Sequence, residues 1–568
     1  MKYIQSFKFI LNKKEKIKVL HISLLMALNT ILELLSVGLI LPVITILMKK
    51  DLNFLPKNLY EITQNFEYLD LLKIVLLGLV IIFVLKNLFI FFYNYQQSLF
   101  LKNLHIRVVS DLFKKYIFQN YSFFLQKDTG SILRNLNISR IVSLCLVSYL
   151  TLALEISVIS CFLIYILYLN FFTSSIITLI FITFGLILYT TTRKKLHLWG
   201  SLKQNYDAQL NQQIIQSFTL IKNIKIFNKE KRIFNFFKDI ILKSEDLIFK
   251  TEVVQQLPRV LSETLGVISI AILIIILTIS GKSNSEIITL TAVYAAVAFR
   301  LIPASTRIIA ALQRIKNYAP SLNLIEEEFL NLDQKNINII EKKIEPLKFE
   351  NIKLENINFS YEQSNNSVFT NINFEINKGE IIGLYGESGS GKSTLINLIS
   401  GLIEPSSGTI KINERKLKDT KESWLASLGY VPQQVTLFND TISKNISFFE
   451  KEVEKKKINN ILEKSNLSKF INDLPEKENT IVGENSATLS GGQIQRIGIA
   501  RALYNDPEFI IFDESTNSLD PINENEIMEF IYSLKGLKTI LIISHDKKVL
   551  SKCNKIFEIK NKNINQIE

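Results

Sequence analysis

Gly386-Glu387-Ser388-Gly389-Ser390-Gly391-Lys392-Ser393-Thr394 sets three glycines, a lysine and adjacent hydroxyls within nine residues. Glycines at this spacing let successive backbone N–H groups turn inward around a phosphate, and a following helix adds the positive end of its dipole. The flanks fit: Ile381–Tyr385 reads as a buried strand and Leu395–Ile399 as a helix, the context that G-x-x-x-x-G-K-[ST] requires. In this arrangement Lys392 reaches β- and γ-phosphates and the Ser393 hydroxyl ligates Mg²⁺, so ATP with Mg²⁺ is the expected ligand.

Two more apolar runs end in chemistry-bearing residues. Phe509–Phe512 leads into Asp513-Glu514, as a central parallel strand would deliver acids to its C-terminal edge. Asp513 suits a Mg²⁺ shell, and Glu514 is placed to polarise an attacking water as general base. Ile540–Ile543 ends in Ser544-His545, which puts His545 on the same edge as a γ-phosphate contact.

These elements occupy only part of 568 residues, of which 48% are hydrophobic and 21% charged. That mixture requires segregation into a membrane part and a water-soluble part. Cys145, Cys161 and Cys553 lie far apart without a C-x-x-C, which excludes a disulfide scaffold and a zinc site. The formal charge of +13 decides nothing alone, and nucleic acid is not an expected partner. Six stretches are long enough to span about 30 Å of hydrocarbon: Val19–Met48, Leu71–Tyr95, Ile141–Leu169, Phe172–Thr191, Leu257–Ser280 and Ile287–Leu312. Lysines before the first span and the Lys/Arg-rich links 96–140 and 192–256 place the N-terminus and those links in the cytoplasm. The links are amphipathic and extend the helices beyond the bilayer, with Tyr121–Gly130 and Phe218–Ile226 at their tips as contact surfaces for another domain. Ile4, Phe7, Ile10 and Leu11 suggest an interfacial helix, and Leu59, Ile62, Phe66 and Leu69 a small external one. The expected fold is multidomain: an all-α six-helix transmembrane domain (1–318), a linker (319–350) and an α/β P-loop nucleotide-binding domain (351–568).

Leu489-Ser490-Gly491-Gly492-Gln493 stands between the phosphate loop and the acidic strand. With it the chain resembles the ABC ATPases, and six spans before one such domain resemble an ABC exporter half-transporter. The resemblance implies that Tyr361 stacks on adenine and that Gln433 senses Mg²⁺ and the attacking water. It also implies a D-loop at Ser518-Leu519-Asp520, with Asp520 near the nucleotide, and a Thr480–Asn485 segment that meets the tips near Tyr121 and Phe218. Ser515 where alanine is usual, and Asp546 after His545, are mild departures that remove no catalytic group. In this family Ser490, Gly491, Gly492 and Gln493 of one protomer close over ATP held by the other. A single motif set therefore implies a homodimer.

Cargo is read from the spans. Lys86, Arg259, Arg300 and Arg307 fall in one depth band, and ionisable groups inside spans are functional candidates. Arg300, Arg307 and Arg314 share a helix face, which suits a phosphate or pyrophosphate headgroup. Snorkelling explains Arg259, Arg314 and Arg307 more easily than Lys86 and Arg300. Glu33, Glu155 and Glu263 also lie in spans, as alternative partners for these cations. Ala298–Ile309 and Leu257-Pro258-Arg259 resemble bacterial lipid-linked oligosaccharide flippases, which implies an anionic polyprenyl-pyrophosphate cargo, membrane lipid as partner and a bacterial inner membrane location. An exporter of another lipid, drug or peptide is the alternative. A peptide exporter with its own protease is disfavoured because the first span begins near residue 19.

Overall fold

A computed structural model describes residues 10–38, 68–169, 171–332, 344–361, 366–450, 452–483, 489–515 and 521–567. The chain divides into two compact units at residues 337/338, with residues 120–125 grouped with the second.

The first unit is helical. Among the described residues six helices are long and apolar enough to cross a membrane. They lie in α1 (Lys13–Gly38), α2 (Tyr68–Ile117), α3 (Arg140–Leu169), α4 (Phe171–Thr219), α5 (Glu230–Ile279) and α6 (Asn284–Asn331). All six expected spans overlap these helices, although residues 39–48 of the first lie outside the described set. Asn12 starts α1 by reciprocal bonds with Glu15: its side-chain oxygen accepts from the Glu15 N–H at 2.8 Å, and its own N–H donates to the Glu15 carboxylate at 2.9 Å. That cap starts the helix before Val19, through the lysine-rich segment. α2, α4, α5 and α6 contain 48 to 50 residues each. At 1.5 Å per residue they are about 72–75 Å long, more than twice the hydrocarbon thickness. α6 continues to Asn331, well past the change of sequence character at Tyr318. The tips form short helices, Tyr121–Gln126 and Ile221–Ile226, neither of which buries a residue. Ile4, Phe7, Leu59, Ile62 and Phe66 lie outside the described residues, and Leu69 belongs to α2.

α6 packs along α3, α4 and α5, while α1 packs along α2 and α3. Lipid offers no hydrophobic contrast, so small residues and polar pairs must hold such helices together. Tyr294 of α6 reaches Ser174 of α4 at 2.5 Å, and Gln313 of α6 donates to Thr192 of α4 at 3.3 Å. Gly200 of α4 lets the helices touch, since a Cβ there would stand 2.4 Å from the Asn317 carbonyl oxygen of α6.

The second unit carries the sheets. β1 (Asn351–Phe359), β2 (Phe369–Asn377), β4 (Ser407–Ile412) and β5 (Arg415–Lys416) form an antiparallel sheet ordered β2-β1-β4-β5. The larger sheet is ordered β12-β11-β3-β10-β9-β6, from β3 (Ile381–Tyr385), β6 (Leu428–Val431), β9 (Phe509–Asp513), β10 (Thr539–Ser544), β11 (Lys555–Lys560) and β12 (Asn563–Gln566). A ribbon of β7 (Asp440–Thr441) and β8 (Ile481–Val482) completes the strands among the described residues. β3, β9 and β10 are near-continuous apolar runs, buried along their length and paired in parallel. Phe349, Trp424 and Phe509 stack with centroids 5.2–5.5 Å apart, and the Trp424 indole donates to the Ile399 carbonyl at 2.9 Å. This locks the helix Lys392–Ile399, labelled α7, against the sheet.

Gly200→Ala should lower the apparent melting temperature in detergent, since overpacking against backbone costs about 1–3 kcal/mol. Gly185→Ala, whose Cβ would meet only Ile309 Cδ1 at 4.0 Å, should match or exceed wild type. Equal melting of the Gly200 variant would refute the close α4–α6 approach.

Candidate active site and charge cluster

The register of the large sheet assembles the site. Ile543 pairs with Asp513 and Ser544 with Tyr385, so the phosphate loop, Asp513-Glu514 and His545 leave the sheet at one level. Gly389 and Gly391 adopt φ of +82° and +109°, which side-chain-bearing residues rarely take, and Gly391 caps the start of α7. A Cβ at Gly386 would stand 2.6 Å from Ser390 Oγ. That hydroxyl is buried with no hydrogen-bond partner, as a group that lines an anion cradle would be. The loop therefore fits a nucleotide phosphate.

Lys392 is buried, and its ammonium donates to the Gly386 and Glu387 carbonyls at 2.8 and 3.1 Å. It also pairs with the Glu514 carboxylate at 3.2 Å. Gln433 donates to the other oxygen of Glu514 at 3.0 Å. Glu514 holds a left-handed backbone, φ +46°, fixed by its N–H donating to the Ile543 carbonyl at 3.0 Å. Three of the sequence-derived residues thus form one connected chain, Lys392–Glu514–Gln433.

Asp513 sits beside them, and burial pushes its carboxyl above the ordinary aspartate range. Tyr430 of β6 opposes that shift by donating to Asp513 at 3.1 Å. Sequence reasoning missed Tyr430; the available signal was a tyrosine on the strand just before Pro432-Gln433. Ser393 is exposed, Thr394 bonds the Tyr361 hydroxyl at 3.0 Å, and Tyr361 packs edge-on to Phe359. His545 is exposed at the end of β10.

Ser490 caps the helix Gly491–Leu503, labelled α8, with a complete capping box. Its Oγ accepts from the Gln493 N–H at 3.3 Å, and its N–H donates to Gln493 Oε1 at 2.8 Å. A Cβ at Gly491 would meet nothing within 4 Å, so this helix start presents open backbone. Asp520, Ser518, Leu519, Glu484 and Asn485 lie outside the described residues.

In the first unit Arg300 of α6 pairs with Glu33 of α1 and lies 3.6 Å from Glu155 of α3. Arg307, two turns along α6, bonds both Glu155 oxygens at 2.6 and 3.2 Å. Lys86 of α2 sits over the Phe83 ring at 4.3 Å and interacts electrostatically with Glu33 and Arg300. Arg259 pairs instead with Glu263 on its own helix, both largely exposed. The structure therefore gathers three of the four expected cations and adds two carboxylates to them.

Two family models match: the ABC transporter model over residues 369–517 and the ABC transporter transmembrane region over residues 26–302. The chain belongs to the ABC transporters. It is 27% identical to a probable ABC transporter ATP-binding/permease protein of Haemophilus influenzae, over 69% of this chain and 73% of that protein. It is 40% identical to an ATP-dependent lipid A-core flippase of Coxiella burnetii, over 33% of this chain and 32% of that protein. A lactococcin-G-processing and transport ATP-binding protein of Lactococcus lactis is 29% identical over 85% of this chain and 69% of that one. A solved bacterial Atm1-family ABC exporter with ATP bound superposes with a TM-score of 0.75 at 21% identity, covering 98% of this chain and 94% of that chain. This ABC exporter accordingly joins a helical transmembrane domain to an ATPase domain whose hydrolysis is coupled to transport.

Glu514→Gln should bind ATP normally and hydrolyse it about 10²–10⁴-fold more slowly, measured by nucleotide binding and phosphate release. Wild-type turnover would remove Glu514 from the general-base role. The acid sensitivity of Mg²⁺–ATP affinity gives a second check. Because Asp513 is raised, its charge is lost on acidification at a higher pH than an ordinary aspartate loses its own. Tyr430→Phe removes a hydrogen bond to the charged form, so affinity should then fall at a still higher pH. An unshifted profile would show that Tyr430 does not tune Asp513.

Proposed function

We propose that this ABC exporter is a homodimeric flippase that moves a polyprenyl-pyrophosphate-linked oligosaccharide from the inner to the outer leaflet of a bacterial cytoplasmic membrane. In this reading the N-terminus and the ATPase domain are cytoplasmic. ATP lies on the loop from Gly386 to Thr394, and Mg²⁺ is held by Ser393, Gln433 and Asp513, a hard-oxygen donor set. Bound Mg²⁺ would neutralise charge developing on the phosphates.

The observation that carries the cargo reading is the cluster of Lys86, Arg300 and Arg307 with Glu33 and Glu155. Three cations against two carboxylates leave one net positive charge per chain, and a dimer doubles it. A pyrophosphate can replace a carboxylate on each guanidinium through paired, charge-assisted hydrogen bonds. The name of the Coxiella burnetii flippase relative supports lipid cargo. The lactococcin-related protein supports the alternative, an exporter of peptide, drug or another lipid, for which Glu33 and Glu155 would receive a cationic cargo.

Removing Arg300 alone strands Glu33, so the informative variant is Glu33→Gln/Arg300→Gln, with Lys86→Gln beside it. In proteoliposomes with a labelled polyprenyl-pyrophosphate saccharide, each should slow flipping more than tenfold, from a loss of about 1.5–3 kcal/mol. Basal ATPase should stay within about twofold of wild type. Normal flipping by the double variant would overturn the cargo reading. The dimer has its own test: Ser490→Ala mixed with Glu514→Gln should give dimers with one complete and one doubly defective site. Their ATPase should exceed that of either parent homodimer. No recovery on mixing would refute a composite site.

A further inference from the structure

The chain passes between the two units at 119/120, 125/126 and 337/338. The first two crossings flank the tip helix Tyr121–Gln126, and the third follows α6. Residues beside all three meet in one polar knot inside the first unit. Glu328, in the last turn of α6, accepts from the Tyr116 hydroxyl of α2 on Oε2 at 2.7 Å and from the Lys127 ammonium on Oε1. One carboxylate thus joins the chain that enters the tip to the chain that leaves it. Lys115 adds a second tie: its ammonium donates to the Phe329 carbonyl at 2.7 Å and lies 5.2 Å from the Phe329 ring centroid.

The knot is also ordered from behind. Tyr116 is buried, and its hydroxyl accepts from Asn135 Nδ2 at 2.9 Å. Asn135, buried on the short helix Thr129–Ile138, accepts from Arg134 Nε and Nη2 on its oxygen at 3.1 and 3.0 Å. Donation therefore runs one way, from Arg134 to Asn135 to Tyr116 to Glu328. A tyrosine hydroxyl that accepts from an amide keeps its single proton for the carboxylate. The Lys127 and Glu328 side chains are only 24% and 16% exposed, so water and salt weaken this pair less than a surface ion pair. A network of this kind specifies one arrangement, since a shift of either partner breaks several bonds together.

α6 has a reason to need that restraint. Pro320 lies inside the helix, where it offers no N–H to the ladder and crowds the preceding turn. Helices bend most readily at such a point. The direction of the segment after Pro320 is therefore set by what it touches. Leu322 and Ile325 are buried there, but apolar contact is non-directional. The bonds at Glu328 and Phe329 supply the direction.

We propose that the Tyr116–Lys127–Glu328 knot is a coupling lock. It makes the base of the first tip and the last turn of α6 move as one body, so nucleotide-driven movement of the ATPase domain reaches α2 and α6 together. With the lock open, α6 bends at Pro320 instead of following the tip, and ATP is hydrolysed with less movement in the membrane helices.

The test follows hydrogen exchange in the full-length protein in nanodiscs, without nucleotide and after arrest with ATP, Mg²⁺ and vanadate. The segment read is the α5–α6 connection, residues 280–283, at the end of α6 away from Glu328. Lys127→Met/Glu328→Gln removes both charges, so neither is stranded, and Tyr116→Phe added to them opens the knot. This triple variant should keep basal ATPase within about twofold of wild type and lose about 2- to 30-fold of the nucleotide-dependent change in exchange, the range expected for residues between coupled sites. The exchange Lys127→Glu/Glu328→Lys restores the ion pair in reverse and should recover most of the response. A wild-type response from the triple variant would overturn the lock. So would a charge reversal that recovers nothing. Equal losses of ATPase and response would also overturn it, since they would assign the knot to folding alone. No cargo is present, so the outcome is independent of the cargo reading.

Discussion

Ile543 pairs with Asp513, and Ser544 with Tyr385, so three parallel strands run out at one level. The phosphate loop and the acids proposed for catalysis inherit their places from that register. Because all three strands are buried, a slip of one residue would turn core side chains onto the wrong face. The phosphate loop begins where β3 ends, and the Glu514 backbone is fixed by the Ile543 carbonyl of β10. Gln433 follows β6, whose Val431 pairs with Phe512. Apolar packing around Phe349, Trp424 and Phe509 thus sets a geometry that hydrogen bonds alone could not hold.

The sequence made this half legible because its signals are local. An apolar run ending in a glycine loop, or in Asp513-Glu514, declares both a strand and its functional end. Ser490 and Gln493 likewise spell out a helix start, and the helix begins there. Tyr430 was not legible, since its importance comes from a neighbouring strand rather than from residues beside it. The membrane helices were legible as apolar runs, but their ends were not. Asn12 and Glu15 fix the start of α1 through side-chain capping that hydropathy does not register. Pairing was harder still: Glu33, Glu155 and Arg300 come from three helices, and depth alone could not say which carboxylate meets which cation. Arg259 shared the depth band yet found its partner one turn along its own helix.

α6 has two different faces. One carries Arg300 and Arg307 toward carboxylates on α1 and α3, and the other lines an apolar slot with α3, α4 and α5. In hydrocarbon the two make different demands. Buried charges fix which helices are neighbours, because an unpaired one is costly. An apolar void imposes no such demand on its neighbours. The close approach at Gly200, with the Tyr294 and Gln313 bonds, holds α6 against α4.

The Lys392–Glu514 pair bears on how inactive forms of this protein should be made. Both side chains are largely buried, and each is the other's charge partner at 3.2 Å. A lysine-to-alanine exchange would therefore take the ammonium from a largely buried carboxylate and leave it with Gln433 but without that countercharge, and the protein would lose stability along with nucleotide affinity. Such a variant is a poor blank for transport assays, since a misfolded exporter and an idle one give the same silence. Neutralising the acid is cleaner: the lysine keeps the Gly386 and Glu387 carbonyls as partners, and the fold survives the chemistry that is removed.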